Sequence, residues 1–129
     1  MPRILIIDDD DMFRAMLREM LEEAHCDVEE ADSSAEGVSL FQKREFDLII
    51  TDLFMPPGGG LGVIQQVRKI DKKIGIVVIS GMVLNNRDEI FKHALATGAN
   101  QTLEKPVSQS VLLQTVADLL SQTKNTNSG

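Results

Sequence analysis

The chain has 129 residues, enough for one domain with one substantial core, and 43% hydrophobic residues exclude a disordered composition. A net charge of -7 argues against a surface built for phosphate backbones and fits solubility and attraction of cations or basic partners. The single cysteine, Cys26, excludes an internal disulfide and suits a reducing compartment. No apolar run approaches a membrane span, and Met1-Pro-Arg3 leads into a short strand instead of a signal peptide, so a soluble cytoplasmic protein is expected.

Arg3-Ile-Leu-Ile-Ile7 is a short apolar run and predicts a central strand. It leads straight into Asp8, Asp9, Asp10 and Asp11. Phe13, Met16, Leu17, Met20, Leu21 and Ala24 then recur at helical spacing, with Asp10 or Asp11 as the cap. Asp27-Val-Glu-Glu-Ala31 is more polar, as an edge strand would be. Ser33-Ser-Ala-Glu36 fits a capping box, and Ala35, Val38 and Phe41 give the second helix an inward stripe. Asp47-Leu-Ile-Ile-Thr-Asp52 is apolar and β-branched, the signature of a buried strand. It ends in a carboxylate, and the breaker loop Leu53-Phe-Met-Pro-Pro-Gly-Gly-Gly60 follows at once.

Leu61, Ile64, Val67 and Ile70 predict the third helix. Ile74-Gly-Ile-Val-Val-Ile79 is a second fully apolar strand, ending at Ser80-Gly81. Asn86-Arg-Asp88 opens a fourth helix with Ile90, Phe91, Ala94 and Leu95 inward, and Gly98 stops it. Asn100-Gln-Thr-Leu103 is a short, more polar strand suited to the other edge, and it reaches Glu104-Lys105-Pro106. Val107, Val111, Leu112, Val116 and Leu119 make the last helix. Residues 1–122 form the domain, and 123–129 read as a polar, disordered tail or the start of a linker. Five strands alternating with five helices predict an α/β domain with a parallel sheet covered on both faces.

The strands of a parallel sheet share one carboxyl edge, where ligands bind. That edge gathers Asp8 and Asp9, Asp52, Ser80 and Lys105. Carboxylates about 4 Å apart repel by about 4 kcal/mol per pair at an effective dielectric of about 20. Such a cluster must protonate, pair with Lys105 or recruit a cation. Mg²⁺, a hard ion suited to one or two carboxylates plus waters, is the natural partner. Asp10 and Asp11 read as solvated capping acids. An EF-hand loop fails, because Met12 stands where a ligand is needed and the invariant glycine is missing. The glycines at 58 to 60 lack a following Gly-Lys-Ser/Thr and read as a turn. His25 and His93 lack metal-ligand spacing. Gly81 beside Ser80 leaves room for an incoming group.

Ile-Leu-Ile-Ile-Asp8-Asp9, Asp47-Leu-Ile-Ile-Thr-Asp52-Leu-Phe-Met-Pro56 with Gly60, Val-Val-Ile-Ser80-Gly81 and Gly98-Ala-Asn-Gln-Thr-Leu-Glu-Lys105-Pro106 resemble, in order and spacing, the receiver domain of bacterial response regulators. The resemblance covers about residues 2 to 122 and implies a single flavodoxin-like (βα)5 fold with strand order 2-1-3-4-5. It implies that Asp52 is a nucleophile phosphorylated from a phosphohistidine on a sensor histidine kinase or phosphotransfer protein. It further implies Mg²⁺ held by Asp8, Asp9, Asp52 and the backbone carbonyl of Phe54. Ser80 and Lys105 would bind the phosphoryl oxygens, and the Lys105-Pro106 bond would be cis. Such a protein catalyses only its own phosphorylation and dephosphorylation and is otherwise not an enzyme. Its output passes to a downstream protein target, and the face of helix four, strand five and helix five offers a route to a homodimer. No nucleic acid and no membrane contact is implied for this chain.

Two features depart from the family pattern. Thr102 stands three residues before Lys105, where the family usually has Tyr or Phe, so an aromatic rotamer cannot report activation. Phe54 and Met82, two residues past Asp52 and Ser80, are apolar and are expected to hinder an attacking water and prolong the phosphorylated state. Two rivals remain. Asp8-x-Asp10 superficially fits a phosphatase of the haloacid dehalogenase type, against which stand Met12, the short chain and the lack of a cap segment. The other is a receiver-fold binding module that is never phosphorylated, against which stand the intact acids, hydroxyl and lysine.

Overall fold

A computed structural model describes residues 1–55, 59–81 and 87–128. Pro56, Pro57 and Gly58 of the breaker loop, and Met82 with the segment up to Asn86, lie outside the described residues. Strands β1 (Arg3–Ile7), β2 (Asp27–Ala31), β3 (Leu48–Asp52), β4 (Gly75–Ser80) and β5 (Gln101–Glu104) alternate with helices α1 (Asp11–Glu23), α2 (Ser34–Lys43), α3 (Gly59–Ile70), α4 (Arg87–Thr97) and α5 (Gln109–Ser128). All neighbouring strands pair in parallel, in the order β2-β1-β3-β4-β5. The two polar runs, β2 and β5, take the edges, as their composition predicts.

The continuous apolar runs of β1, β3 and β4 follow from cover on both faces of the sheet. Alternate side chains point to opposite faces. Leu5, Ile7, Ile49, Ile76 and Val78 pack with Phe41, Val63, Ile64, Val67 and Ala94 from α2, α3 and α4. Ile4, Ile6, Leu48, Ile50, Val77 and Ile79 pack with Leu17, Leu21, Leu112, Val116 and Leu119 from α1 and α5. Each fully buried side chain of this size stabilises the fold by about 1.5–3 kcal/mol before entropy is counted.

The helix boundaries rest on local chemistry. Asp10 caps α1, its carboxylate accepting from the Phe13 amide at 3.1 Å. Ser33 caps α2 through the Glu36 amide at 3.2 Å, and Ser108 caps α5 through the Val111 amide at 3.2 Å. α1 ends with Cys26 N–H on Leu21 C=O and His25 N–H on Glu22 C=O, both at 3.0 Å. This paired closure puts its penultimate residue in the left-handed region, and here that residue is His25, with φ 65°. Gly98 ends α4 at φ 140°. Its carbonyl accepts from Arg68 Nε at 3.0 Å, and Arg68 Nη2 reaches Asn100 Oδ1 at 2.9 Å. Cys26 is a buried free thiol, and burial pushes its pKa up.

Several inward stripes differ from expectation. In α2, Gly37 is buried and Ala35 is exposed. A Cβ at Gly37 would lie 2.4 Å from Ile7 Cδ1, so the helix approaches β1 through a residue that carries no hydrophobic signal. In α3, Val63 joins Ile64 and Val67 inside, whereas the terminal Ile70 is 57% exposed. In α4, Leu95 is exposed and Ala94 is the fully buried residue. In α5, Leu112, Val116 and Leu119 fill the i, i+4, i+7 stripe, which turns Val111 outward. The α5 backbone continues through Ser128, where the polar composition predicts an unstructured tail. Backbone hydrogen bonds extend a helix without an apolar face.

Candidate functional site

The strand register carries each expected residue to one edge. Ile7 pairs with Thr51, which brings Asp8 and Asp52 to the ends of adjacent strands. Asp52 pairs with Ile79, so Ser80 lies one residue further on. Ser80 pairs with Glu104, and Lys105 follows, its amide donating to the Ser80 carbonyl at 2.9 Å. The Lys105-Pro106 bond is cis. By the pleat, Asp8 and Asp52 issue on the α1/α5 side and Ser80 on the α2–α4 side.

Asp8 and Asp52 are 2% and 7% exposed, and Asp9 is exposed. One carboxylate oxygen from each of the three lies within 4.8 Å of the others. Lys105 Nζ sits 2.9 Å from Asp8 Oδ2 and 3.4 Å from Asp52 Oδ2. The free Asp8 oxygen accepts from the Asp10 amide at 2.9 Å, and Asp52 Oδ1 accepts from the Phe54 amide at 3.2 Å. Burial, and then the Asp8 charge, hold the Asp52 carboxyl above its ordinary value, against the pull of Lys105 and the Phe54 amide. Desolvation acts to lower Lys105, but its hydrogen bond to Asp8 and the Asp52 charge outweigh that and leave its pKa raised.

The Asp52 loop is closed by a steric requirement. Gly60 N–H donates to Leu53 C=O at 2.9 Å, and a Cβ at Gly60 would lie 2.3 Å from the Asp52 carbonyl oxygen and 2.9 Å from Leu53 Cα. Only glycine lets α3 begin this close to the end of β3. Leu53 and Met55 are buried and Phe54 between them is 41% exposed, lining a groove with Leu61, Ile90 and His93. Thr102, in β5 opposite Val78, is partly buried.

Two contacts were not legible from spacing. The Phe13 ring lies under Lys105, with Nζ 4.2 Å from its centroid, a cation–π distance. Arg14 Nη1 donates to the Asp8 carbonyl at 2.6 Å. In the sequence Phe13 is one more member of the α1 stripe and Arg14 one more surface charge.

An all-oxygen donor set with two buried carboxylates and one exposed carboxylate fits a hard divalent cation such as Mg²⁺. The largely buried ammonium beside them meets the complementary need, a cation for the charge of a small anion. Together they suit a group that carries both a metal and negative oxygens, as a phosphoryl group does.

Comparison with known proteins identifies the family. The sequence pattern of the response regulator receiver domain matches residues 4–117. The chain is similar to the chemotaxis protein CheY of Halobacterium salinarum, with 26% identity over 118 residues covering 92% of this chain and 96% of that one. It is 35% identical over 124 residues to the DNA-binding dual master transcriptional regulator RpaA of Synechocystis, covering 95% of this chain and 51% of that protein. A response regulator receiver domain protein from Clostridium thermocellum shares the fold with a TM-score of 0.88 at 27% identity, covering 96% of this chain and 98% of that one. With the match running from β1 into α5, the chain belongs to the response regulator receiver family.

Proposed function

We propose that Asp52 is the phosphoacceptor of a two-component phosphorelay, receiving a phosphoryl group from a phosphohistidine. The observation that carries this reading is the convergence of three carboxylates within 4.8 Å with an ammonium bridging two of them. An Asp52 carboxylate oxygen attacks phosphorus, the O–P bond forms, the N–P bond breaks, and the imidazole leaves. Lys105 neutralises charge on the phosphoryl oxygens, and Ser80 donates a hydrogen bond to one of them. Asp8, Asp9, Asp52 and the Phe54 carbonyl would hold Mg²⁺, which when bound withdraws charge from the transferring group. Because Lys105 already pairs with Asp8, that ion pair loosens as the ammonium turns to the phosphoryl group.

The acyl phosphate adds about two negative charges and new acceptor oxygens. Ser80 is drawn toward them from the α4 side of the sheet, which biases α4 and the face it shares with β5 and α5. With Thr102 in place of an aromatic, the signal leaves through the position of α4 and not through a ring rotamer. The partners of this reading are a histidine kinase or phosphotransfer protein upstream and a protein target or second copy on the α4–β5–α5 face. The location is cytoplasmic. No helix among the described residues is long and apolar enough to cross a membrane.

The test is incubation of the chain with acetyl phosphate and Mg²⁺, followed by intact mass and peptide mapping. A gain of one phosphoryl group at Asp52, absent in Asp52→Asn and abolished by chelator, is expected. No gain in the wild type would leave a receiver-fold binding module. Turnover of a phosphate monoester that survives Asp52→Asn would instead favour phosphatase chemistry on Asp8 or Asp10.

A further inference from the structure

The acidic loop between β1 and α1 is held from behind by one side chain. Arg14, in the first turn of α1, is largely buried, with a side-chain exposure of 14%. Its Nη1 donates to the Asp8 carbonyl at 2.6 Å, its Nη2 to Asp11 Oδ1 at 2.7 Å, and its Nε to Glu30 Oε1 at 2.8 Å. A guanidinium can serve three acceptors at once because its donors form a rigid planar fork. Glu30 lies on β2 and also accepts from Arg18 Nη1 at 2.5 Å. Arg18, then Arg14, hold the Glu30 carboxyl below its ordinary value in spite of burial. The two ends of the loop, Asp8 and Asp11, are therefore tied to a group that is itself fixed to the edge strand. None of these bonds uses the Asp8 carboxylate, which stays directed at Lys105 and the Asp10 amide.

We propose that Arg14 is a positioning residue for the divalent cation: it sets the Asp8 and Asp9 carboxylates through the backbone of their loop, with Glu30 orienting it. This rests on Asp8, Asp9 and Asp52 being the cation ligands. The sign of the effect separates positioning from simple charge. A guanidinium this close to the carboxylates repels a divalent cation, so if charge alone mattered, removing it would tighten binding. If Arg14 holds the loop, removing it weakens binding although the local potential becomes more negative. Groups that orient metal ligands from behind commonly change affinity about 10–100-fold.

The experiment is a Mg²⁺ titration of the full chain followed by backbone amide NMR shifts of residues 8–10 and 52–54, since the chain has no Trp or Tyr to act as an optical reporter. Thermal unfolding without metal is measured beside it. Arg14→Gln is expected to raise the Mg²⁺ Kd about tenfold. Arg14→Lys, which keeps one donor for the Asp8 carbonyl but cannot span all three acceptors, is expected to recover part of that. Glu30→Met, which keeps Arg14 but removes its orienter, is expected to raise the Kd about threefold. An unchanged or lowered Kd in Arg14→Gln, even with a lower melting temperature, overturns the inference. Should Arg14→Gln fail to fold, an unchanged Kd in Glu30→Met does the same. A wild type that binds no Mg²⁺ removes the ligand reading itself, an outcome distinguishable because the wild-type titration alone reports it.

Discussion

Lys105→Met removes the ammonium that pairs with Asp8 and Asp52 while keeping an unbranched side chain of similar length beside Gly81 and the Phe13 ring. Asp8 and Asp52 are then left buried without the ammonium that sits 2.9 Å and 3.4 Å from them. Breaking a buried pair by deleting one partner costs about 3–5 kcal/mol. Lys105 is 17% exposed, so the lower end, about 3 kcal/mol, applies. For a domain of this size that is a fall of about 10 °C in melting temperature. The sign of the pH dependence follows from Asp52. Burial and Asp8 already hold its folded pKa above the ordinary 3.8, and losing Lys105 raises it further. A raised folded pKa gives stability that is present below the unfolded value and is lost as pH rises through the folded one. The variant and the wild type should therefore melt together near or below 3.8 and diverge as the pH approaches neutrality. Mg²⁺ at about ten times its Kd should return about 1.4 kcal/mol. The assay is thermal unfolding by circular dichroism across this pH range, in chelator and in Mg²⁺. A variant as stable as the wild type at neutral pH in chelator, with the same pH dependence, would refute the view that Lys105 compensates the acids.

Gly60→Ala forces a Cβ against the Asp52 carbonyl oxygen and should cost about 1–3 kcal/mol or more. It should also slow acetyl phosphate labelling of Asp52, because relief requires the β3–α3 loop to shift; an unaltered melting temperature and rate would contradict the steric argument. His25→Gly removes a left-handed non-glycine residue at the end of α1. It should stabilise the fold by about 0.5–1 kcal/mol in denaturant unfolding, with no effect on labelling. Phe54→Asn replaces an exposed apolar residue two positions past Asp52 with a side chain able to orient water and should speed loss of the phosphoryl group about tenfold. Equal decay rates would show that Phe54 does not shield the site.

Much of this was legible in the chain because both relevant periodicities were intact. The period-2 alternation hidden inside the runs 4–7, 48–50 and 76–79 only makes sense if both faces are covered, and both are. The polar residues Asp27, Glu29 and Glu30, and Gln101 and Thr102, marked the edges. The order 2-1-3-4-5 was not in the polarity, which leaves the three inner strands interchangeable; it came from the resemblance. The edge acids, Ser80 and Lys105 were legible because strand ends in a parallel sheet must converge. Arg14 and Phe13 were not, because their partners Glu30 and Lys105 lie on other elements and no spacing encodes those meetings. Gly37 misled the α2 stripe for a simpler reason: close packing was achieved there by leaving out a side chain.

The pleat that sends Asp8 and Asp52 toward α1 and α5, and Ser80 toward α3 and α4, has a consequence for how such a molecule can change over generations. The cores on the two faces of the sheet are separate, so on the proposed reading substitutions around Phe13, Arg14 and Leu17 would adjust how fast the carboxylates are charged and discharged. Substitutions around Ile64, Ala94 and Arg68 would adjust how the rest of the molecule responds. Timing and response could then drift under independent selection, joined at the sheet edge where the ends of β1, β3, β4 and β5 lie side by side.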